Sequence, residues 1–255
     1  MSLKGKKQSF KIQRGDLENT SMVDFEIELD EGMVVLDCVH KIQHEEQADL
    51  AVRWNCKAGK CGSCSAEING RPRLMCMTRM SDVVSETPEN VPIEIRPMKA
   101  FPLIKDLVTD VSWNYKVAEK IKPINGPEEK NWEFNQMEAD RIQHFRECIE
   151  CFLCQNTCHV LRDHELFDDF AGPRNLVRLA QFEMHPLDTE DRIPEIKKDF
   201  GVEYCNITRC CTEVCPAGIN ITDDAIIPLK ERVVDRYYDP IKMVWRKITG
   251  KKLRT

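Results

Sequence analysis

Cys148-Ile149-Glu150-Cys151-Phe152-Leu153-Cys154-Gln155-Asn156-Thr157-Cys158 reads C-x2-C-x2-C-x3-C. In the bacterial ferredoxin run of this spacing, three thiols on one local turn hold three irons of a cubane. The fourth cysteine crosses to a neighbouring cluster. Cys205, Cys211 and Cys215 follow as C-x5-C-x3-C-Pro and supply the second half of an interleaved pair. Cys148, Cys151, Cys154 and the proline-flanked Cys215 are therefore expected to hold a [4Fe-4S] cluster, and Cys158 joins Cys205 and Cys211. A cubane at that second centre requires a cysteine at position 208, which is threonine. A neutral hydroxyl is a poor ligand for cluster iron, so the corner iron should be missing and the cluster should be [3Fe-4S]. Cys210, adjacent to Cys211, has two readings, a replacement ligand or a packed thiol beside this cluster, and the second is preferred because consecutive cysteines seldom face the same way.

Upstream, Cys56, Cys61, Cys64 and Cys76 read C-x4-C-x2-C-x11-C, the plant-type spacing for a [2Fe-2S] cluster. Gly59 and Gly62 give the loop the backbone freedom to wrap three thiolates around the irons. Zinc sites favour paired C-x2-C units and fit this spacing poorly. Eleven of the thirteen cysteines are thus accounted for. Cys38 reads as a small buried hydrophobe on an early helix. The cysteine usage suits metal binding in a reducing compartment better than a disulfide scaffold.

The 255 residues suffice for two domains, and 42% hydrophobic against 31% charged residues fits a globular chain. No apolar run reaches the length of a membrane span, and the opening MSLKGKKQSF lacks the apolar centre of a signal peptide. Residues 241–255 carry Lys242, Arg246, Lys247, Lys251, Lys252 and Arg254 with no acid. That gives +6 and leaves −12 for the rest against a whole-chain −6. With Met243, Val244, Trp245 and Ile248 interleaved, this tail suits a membrane surface or membrane subunit. No flavin or nicotinamide fingerprint of the G-x-G-x-x-G kind stands between a strand and a helix, and no nucleic-acid partner is expected.

Alternation over 9–14 and 24–29 predicts two strands, and 34–43 a helix. Strands 65–68 and 73–76 are expected to flank an Asn69–Pro72 turn, with a closing strand at 91–95. Residues 106–120 should be helical, and Pro123, Gly126 and Pro127 break the pattern into a linker. Helices are expected over 139–147, from Pro173 through Glu183 and over 223–235. The fold class is α+β. A β-grasp plant-type ferredoxin domain over residues 1–105 is followed by a connecting segment over 106–138. A helical bacterial-type ferredoxin domain over 139–240 and a basic tail over 241–255 complete the chain.

This order of domains resembles the iron–sulfur subunit of the succinate dehydrogenase/fumarate reductase family. CKAGKCGSC at 56–64, NGRPRLMC at 69–76, FPLIKDLVTD at 101–110, CIECFLCQNTC at 148–158 and CNITRCCTEVCP at 205–216 carry the likeness. It covers nearly the whole chain. The resemblance implies an electron-transfer subunit of a succinate dehydrogenase (quinone)/fumarate reductase complex. In such a complex the [2Fe-2S] cluster faces an FAD-binding flavoprotein subunit, and the [3Fe-4S] cluster lies near an integral membrane anchor that exchanges electrons with a quinone. It further implies a peripheral position on the cytoplasmic face of the cell membrane. The alternative is the same electron-carrying chain serving a related flavoprotein with a different terminal acceptor. Quinone-reactive members usually have proline where His159 stands, tryptophan where Asp163 stands and often histidine where Asn206 stands. His159 and Asn206 are therefore expected as quinone-side neighbours, and no residue of this chain is expected to be catalytic.

Overall fold

The computed structural model describes residues 3–127, 133 and 135–249. In chain order the elements are β1 (Lys7–Gly15), β2 (Thr20–Glu28), α1 (Val35–Glu45), β3 (Ser65–Ile68), β4 (Arg71–Leu74), α2 (Met80–Glu86), β5 (Ile93–Arg96), β6 (Leu103–Lys105), β7 (Val108–Thr109) and α3 (Ser112–Glu119). Then come α4 (Gln136–Gln143), α5 (Leu153–Asn156), α6 (His159–Arg162), α7 (Gly172–Glu183), α8 (Ile193–Lys198), α9 (Cys210–Glu213), α10 (Ile227–Tyr237) and α11 (Pro240–Thr249). The chain divides into two compact units. The first is the described part of Met1–Ser112 together with Ile149–Thr157, and the second comprises the described parts of Trp113–Cys148 and Cys158–Thr255.

The first unit is built on a five-stranded mixed sheet in the order β2-β1-β5-β3-β4. β1 runs antiparallel to β2 and parallel to β5, and β3 runs antiparallel to both β5 and β4. Alternation decides which face is buried. Phe10 pairs with Phe25 and Ile93, and Ile12 with Ile95, all of them buried. α1 turns Val35, Leu36, Cys38, Val39 and Ile42 into the same core. Burial pushes the Cys38 thiol up to about 12, which suits the packing role expected of it.

Two expectations need correction here. The hairpin turn is two residues rather than four: Asn69 and Gly70 take φ of 49° and 74°, and Arg71 and Pro72 already pair within β4. Two consecutive left-handed residues match the twist of the flanking strands, so a tight turn wins. Residues 106–120 are not one helix, because β7 pairs back on β6 and α3 starts only at Ser112. Asp106 causes this. It has φ of 51° and is fully buried. Its carboxylate accepts the N–H groups of Gly15 and Ala51 at 2.7 Å each and Nε of Arg14 at 3.1 Å. A buried carboxylate needs such donors, and satisfying them outweighs local helix propensity.

The second unit is helical. Leu176, Val177, Leu179 and Ala180 of α7, Leu229 and Val233 of α10, and Ile193 and Ile196 of α8 are buried. A π-helical turn over Ile221–Ile226 precedes α10 where a continuous helix from 223 was expected. Pro228 lies in the first turn of α10 and has no N–H to give to the preceding turn. The expected linker around Pro123 is pinned within this unit. Arg192, 1% exposed, donates to the carbonyls of Lys122 and Pro123 and pairs with Asp188 at 2.7 Å. Residues 128–132 and 134 of the expected connecting segment, and Lys251, Lys252 and Arg254 of the expected basic tail, lie outside the described residues.

Candidate iron–sulfur sites

Four cysteines meet in the first unit. Lys57, Gly59 and Gly62 take φ of 52°, 64° and 68°, so the 56–64 loop coils back on itself. The N–H groups of Ala58 and Lys60 donate to Cys56 Sγ at 3.4 and 3.2 Å. Cys76, arriving after β4, donates its N–H to Cys64 Sγ at 3.5 Å. Hydrogen bonds from Ser63 and contacts with Cys56 bring the Cys61 thiol down to about 6, whereas burial pushes Cys64 up to about 12. One side of the site is therefore open and polar and the other closed. Cys56 is exposed while Cys64 and Cys76 are buried. Exposed Trp54 and Met77 stand at the open side, and Lys57 Nζ lies 4.9 Å from the Trp54 ring centroid.

Behind this loop, the first unit holds the middle of the second cysteine run. A Cβ on Gly62 would lie 2.6 Å from the Cα of Cys151, so only glycine permits the approach. Ser65 Oγ sits 2.9 Å from the carbonyls of both Gly62 and Cys151, within hydrogen-bonding reach of each. Asn156 donates to buried Glu67 at 2.8 Å and accepts the Ala100 N–H at 2.9 Å, which ties α5 to β3. Ser65, Glu67 and Asn156 were not singled out from sequence. Polar residues in a strand and in a cysteine loop carry no spacing signal, and only their burial marks them.

Cys151 and Cys154, both buried, belong to the first unit, and half-buried Cys148 and Cys215 to the second. Glu150 and Phe152, on either side of Cys151, both have left-handed backbone, with φ of 56° and 60°. The same pattern recurs where Ile207 and Arg209, at 59° and 64°, flank Thr208. Cys148, Cys151 and Cys154 thus correspond in spacing and backbone to Cys205, Thr208 and Cys211. Thr208 occupies the place that Cys151 takes in the first group.

Within the second unit, Cys158, Cys205, Cys210 and Cys211 are near enough for their charges to interact. Burial pushes Cys158 up to about 12 and Cys211 to about 11, and raises Cys205 as well. Thr222 Oγ1 lies 3.4 Å from Cys211 Sγ, and the Ile207 N–H donates to Cys205 Sγ at 3.5 Å. Cys210 was expected to face away. It shares the short helix α9 with Cys211, and helical neighbours diverge by about 100° rather than the half-turn of a strand, so both can address one concavity. His159 Nδ1 lies 3.0 Å from Asp163 Oδ2, both partly exposed, and Asn206 is exposed.

The residues fit iron–sulfur cores. Among the described residues no three His, Cys, Asp or Glu side chains close around a single metal ion. Around one zinc ion with bonds of about 2.3 Å, sulfurs crowd within about 4 Å of one another. A core of several irons and sulfides holds them farther apart. Backbone N–H groups aimed at thiolate sulfur are the donors such cores use.

Comparisons with known proteins agree with this geometry. Residues 9–116 match the model of a 2Fe-2S iron-sulfur cluster binding domain, and residues 144–219 that of a 4Fe-4S dicluster domain. The fumarate reductase iron-sulfur subunit of Mycobacterium tuberculosis is 31% identical over 207 residues, which are 77% of this chain and 79% of that protein. The chain belongs to the succinate dehydrogenase/fumarate reductase iron–sulfur subunit family. The succinate dehydrogenase iron-sulfur subunit of Paracoccus denitrificans is 28% identical, covering 89% of this chain and 88% of its own length. A chain of the Mycobacterium smegmatis Sdh1 complex in the apo form superposes with a TM-score of 0.87 at 53% identity. That match covers 92% of this chain and 98% of the other. The family membership makes this chain the electron-transfer subunit of its complex. Its N-terminal sheet domain is ferredoxin-like for 2Fe-2S binding and its helical domain is of the dicluster type. Among the described residues no helix is long and apolar enough to cross a membrane.

Proposed function

We propose that this chain carries electrons one at a time between an FAD-bearing flavoprotein subunit that interconverts succinate and fumarate and a quinone at a membrane anchor. Cys56, Cys61, Cys64 and Cys76 would hold [2Fe-2S], Cys148, Cys151, Cys154 and Cys215 [4Fe-4S], and Cys158, Cys205 and Cys211 [3Fe-4S]. When bound, each cluster accepts and releases a single electron. The protein's own part is to hold the thiolates, exclude water and set potentials. Donors such as the Ala58 and Lys60 N–H groups and the Thr222 hydroxyl favour the more negative, reduced state.

The observation that carries the reading is the approach of Gly62 to Cys151. It joins the first cysteine loop to the second cysteine run through backbone and through the bridging Ser65 hydroxyl. The exposed rim of Cys56, Trp54 and Met77 suits the flavoprotein contact. Exposed Ile241, Val244 and Ile248 on α11, with Lys242 and Lys247 beside them, suit an anchor or membrane surface on the cytoplasmic side. The mixed sheet with α1 packed on it supports a plant-type β-grasp for residues 1–105. The functional division into 1–105, 106–138, 139–240 and 241–255 follows the placement of the cysteine groups.

His159 and Asn206 are the quinone-side neighbours in this reading. The His159–Asp163 pair replaces the proline and tryptophan of the resemblance, which favours an acceptor site remade with the anchor or, alternatively, a different terminal acceptor. The test is electron paramagnetic resonance of the purified complex together with its subunit composition. An oxidised [3Fe-4S] signal, a succinate-reduced [2Fe-2S] signal, an FAD subunit and a membrane subunit are expected. Loss of the signals under anaerobic preparation, or a complex without a flavoprotein, would overturn the reading. His159→Ala should slow quinone reduction and leave succinate oxidation with an artificial acceptor intact; unchanged quinone turnover removes His159 from that role.

A further inference from the structure

The three-thiol centre has a fourth sulfur beside its missing corner. Thr208 stands where the Cys148–Cys151–Cys154 pattern has its middle ligand, since left-handed residues flank both Cys151 and Thr208. The Thr208 Oγ1 lies 3.3 Å from Cys210 Sγ, so that sulfur abuts the ligand position the threonine fills. Cys210 opens α9 immediately after left-handed Arg209, and Cys211, the next residue, is one of the three proposed ligands. Cys210 also lies in the neighbourhood of Cys158, Cys205 and Cys211. The thiol is half-buried and Thr208 is exposed, which leaves an approach for an ion from solvent.

We propose that Cys210 is a reversible fourth ligand, so that this centre takes up ferrous iron when reduced and passes between a three-iron and a four-iron state. The proposal rests on the assignment of Cys158, Cys205 and Cys211 to [3Fe-4S]. The balance is simple. Succinate oxidation releases two electrons, of which one takes the oxidised three-iron core from +1 to 0 and the other passes on to the acceptor. One Fe2+ then enters the open corner, Cys210 releases its proton to solvent and binds that iron as thiolate, and the core becomes [4Fe-4S]2+. Oxidation by one electron with loss of Fe2+ and reprotonation of Cys210 reverses the sequence. A thiolate binds iron far better than the Thr208 hydroxyl, so the neighbouring residue can do what position 208 cannot.

The consequence is control by iron supply. Closing the corner replaces a one-electron carrier of comparatively high potential by a cubane of different potential and charge, and so changes the electron flow at the acceptor end.

The experiment uses the intact complex. It is reduced anaerobically with succinate, incubated with 57Fe2+, freed of excess iron and kept reduced. The integer-spin resonance of the reduced [3Fe-4S] core is then read, with Mössbauer spectroscopy of the added 57Fe. The native complex should lose most of that resonance and gain about one cluster iron per chain. In Cys210→Ala the resonance should persist at its starting intensity. In Cys210→Ser, which preserves shape and polarity, uptake should be at least tenfold weaker. The [2Fe-2S] signal in each variant reports that the protein is folded. Equal loss of the resonance in native and Cys210→Ala complexes, or no loss in either, overturns the role of Cys210 while leaving the cluster assignment standing. Absence of any [3Fe-4S] resonance from the oxidised native complex overturns that assignment and this proposal together.

Discussion

The cysteine loop at 56–76 and the cysteine group at 158–211 solve the same problem by opposite means. In the first, three cysteines lie within nine residues and the fourth returns from the next hairpin, so local backbone does nearly all the gathering. In the second, Cys158 and the α9 cysteines are some fifty residues apart in sequence, and α7, α8 and the π-turn before α10 must pack before the thiols can meet. A contiguous loop pays little chain entropy to close, whereas a dispersed site depends on the stability of everything between its ligands. The first site should therefore respond to changes in its own backbone, and the second to changes in packing and hydrogen bonding around it.

The strongest way to break this comparison is to remove one ligand from each site. Cys64→Ser should abolish the [2Fe-2S] resonance and leave the oxidised [3Fe-4S] resonance near full intensity. Cys205→Ser should do the reverse, as read in the same spectra. If either substitution erases both signals, the two sites are not separately organised.

Backbone comes next. Gly62→Ala adds a methyl against Cys151 at a left-handed φ, and should cost about 2–4 kcal/mol in chemical denaturation and speed cluster loss. Gly70→Ala, left-handed but with open space around it, should cost only about 1 kcal/mol. Similar losses for the two would remove the Cys151 contact from the explanation. Asp106→Asn keeps one oxygen for the Gly15 N–H and Arg14, turns its NH2 toward the Ala51 N–H and removes the charge that pairs with Arg14, with an expected loss of about 2–3 kcal/mol. The smallest effect belongs to the dispersed site. Thr222→Val deletes the hydroxyl beside Cys211 and should lower the [3Fe-4S] midpoint potential by about 40 mV for a bond worth about 1 kcal/mol. Redox titration followed by paramagnetic resonance measures it, and an unchanged potential would show that the Thr222 hydroxyl does not act on the cluster.

Much of the candidate site was legible because cluster ligation demands thiols at fixed spacings, and the spacing survives in sequence. Thr208 could be read as a vacancy for the same reason. Cys210 could be read only as two alternatives, packed thiol or replacement ligand, because adjacency alone does not say whether two side chains diverge as in a strand or converge as at the start of a helix. The strands β1 and β2 and the helix α7 were legible from their periodicity. The β6–β7 hairpin was not, because Asp106 stabilises it through donors on Gly15 and Ala51, more than fifty residues away in sequence.

Sequence by itself determined the number and spacing of the cysteine groups, the sheet-then-helix order of the chain and the threonine at position 208 where that spacing asks for a cysteine. These follow from local spacing and periodicity, which need no knowledge of distant neighbours. Only the tertiary structure decided that Gly62 lies against Cys151, that Glu67 and Asn156 anchor α5, and that the Cys210 sulfur stands beside Thr208. Each depends on which buried polar or thiol group finds a partner across the fold, and that is settled by packing many residues at once.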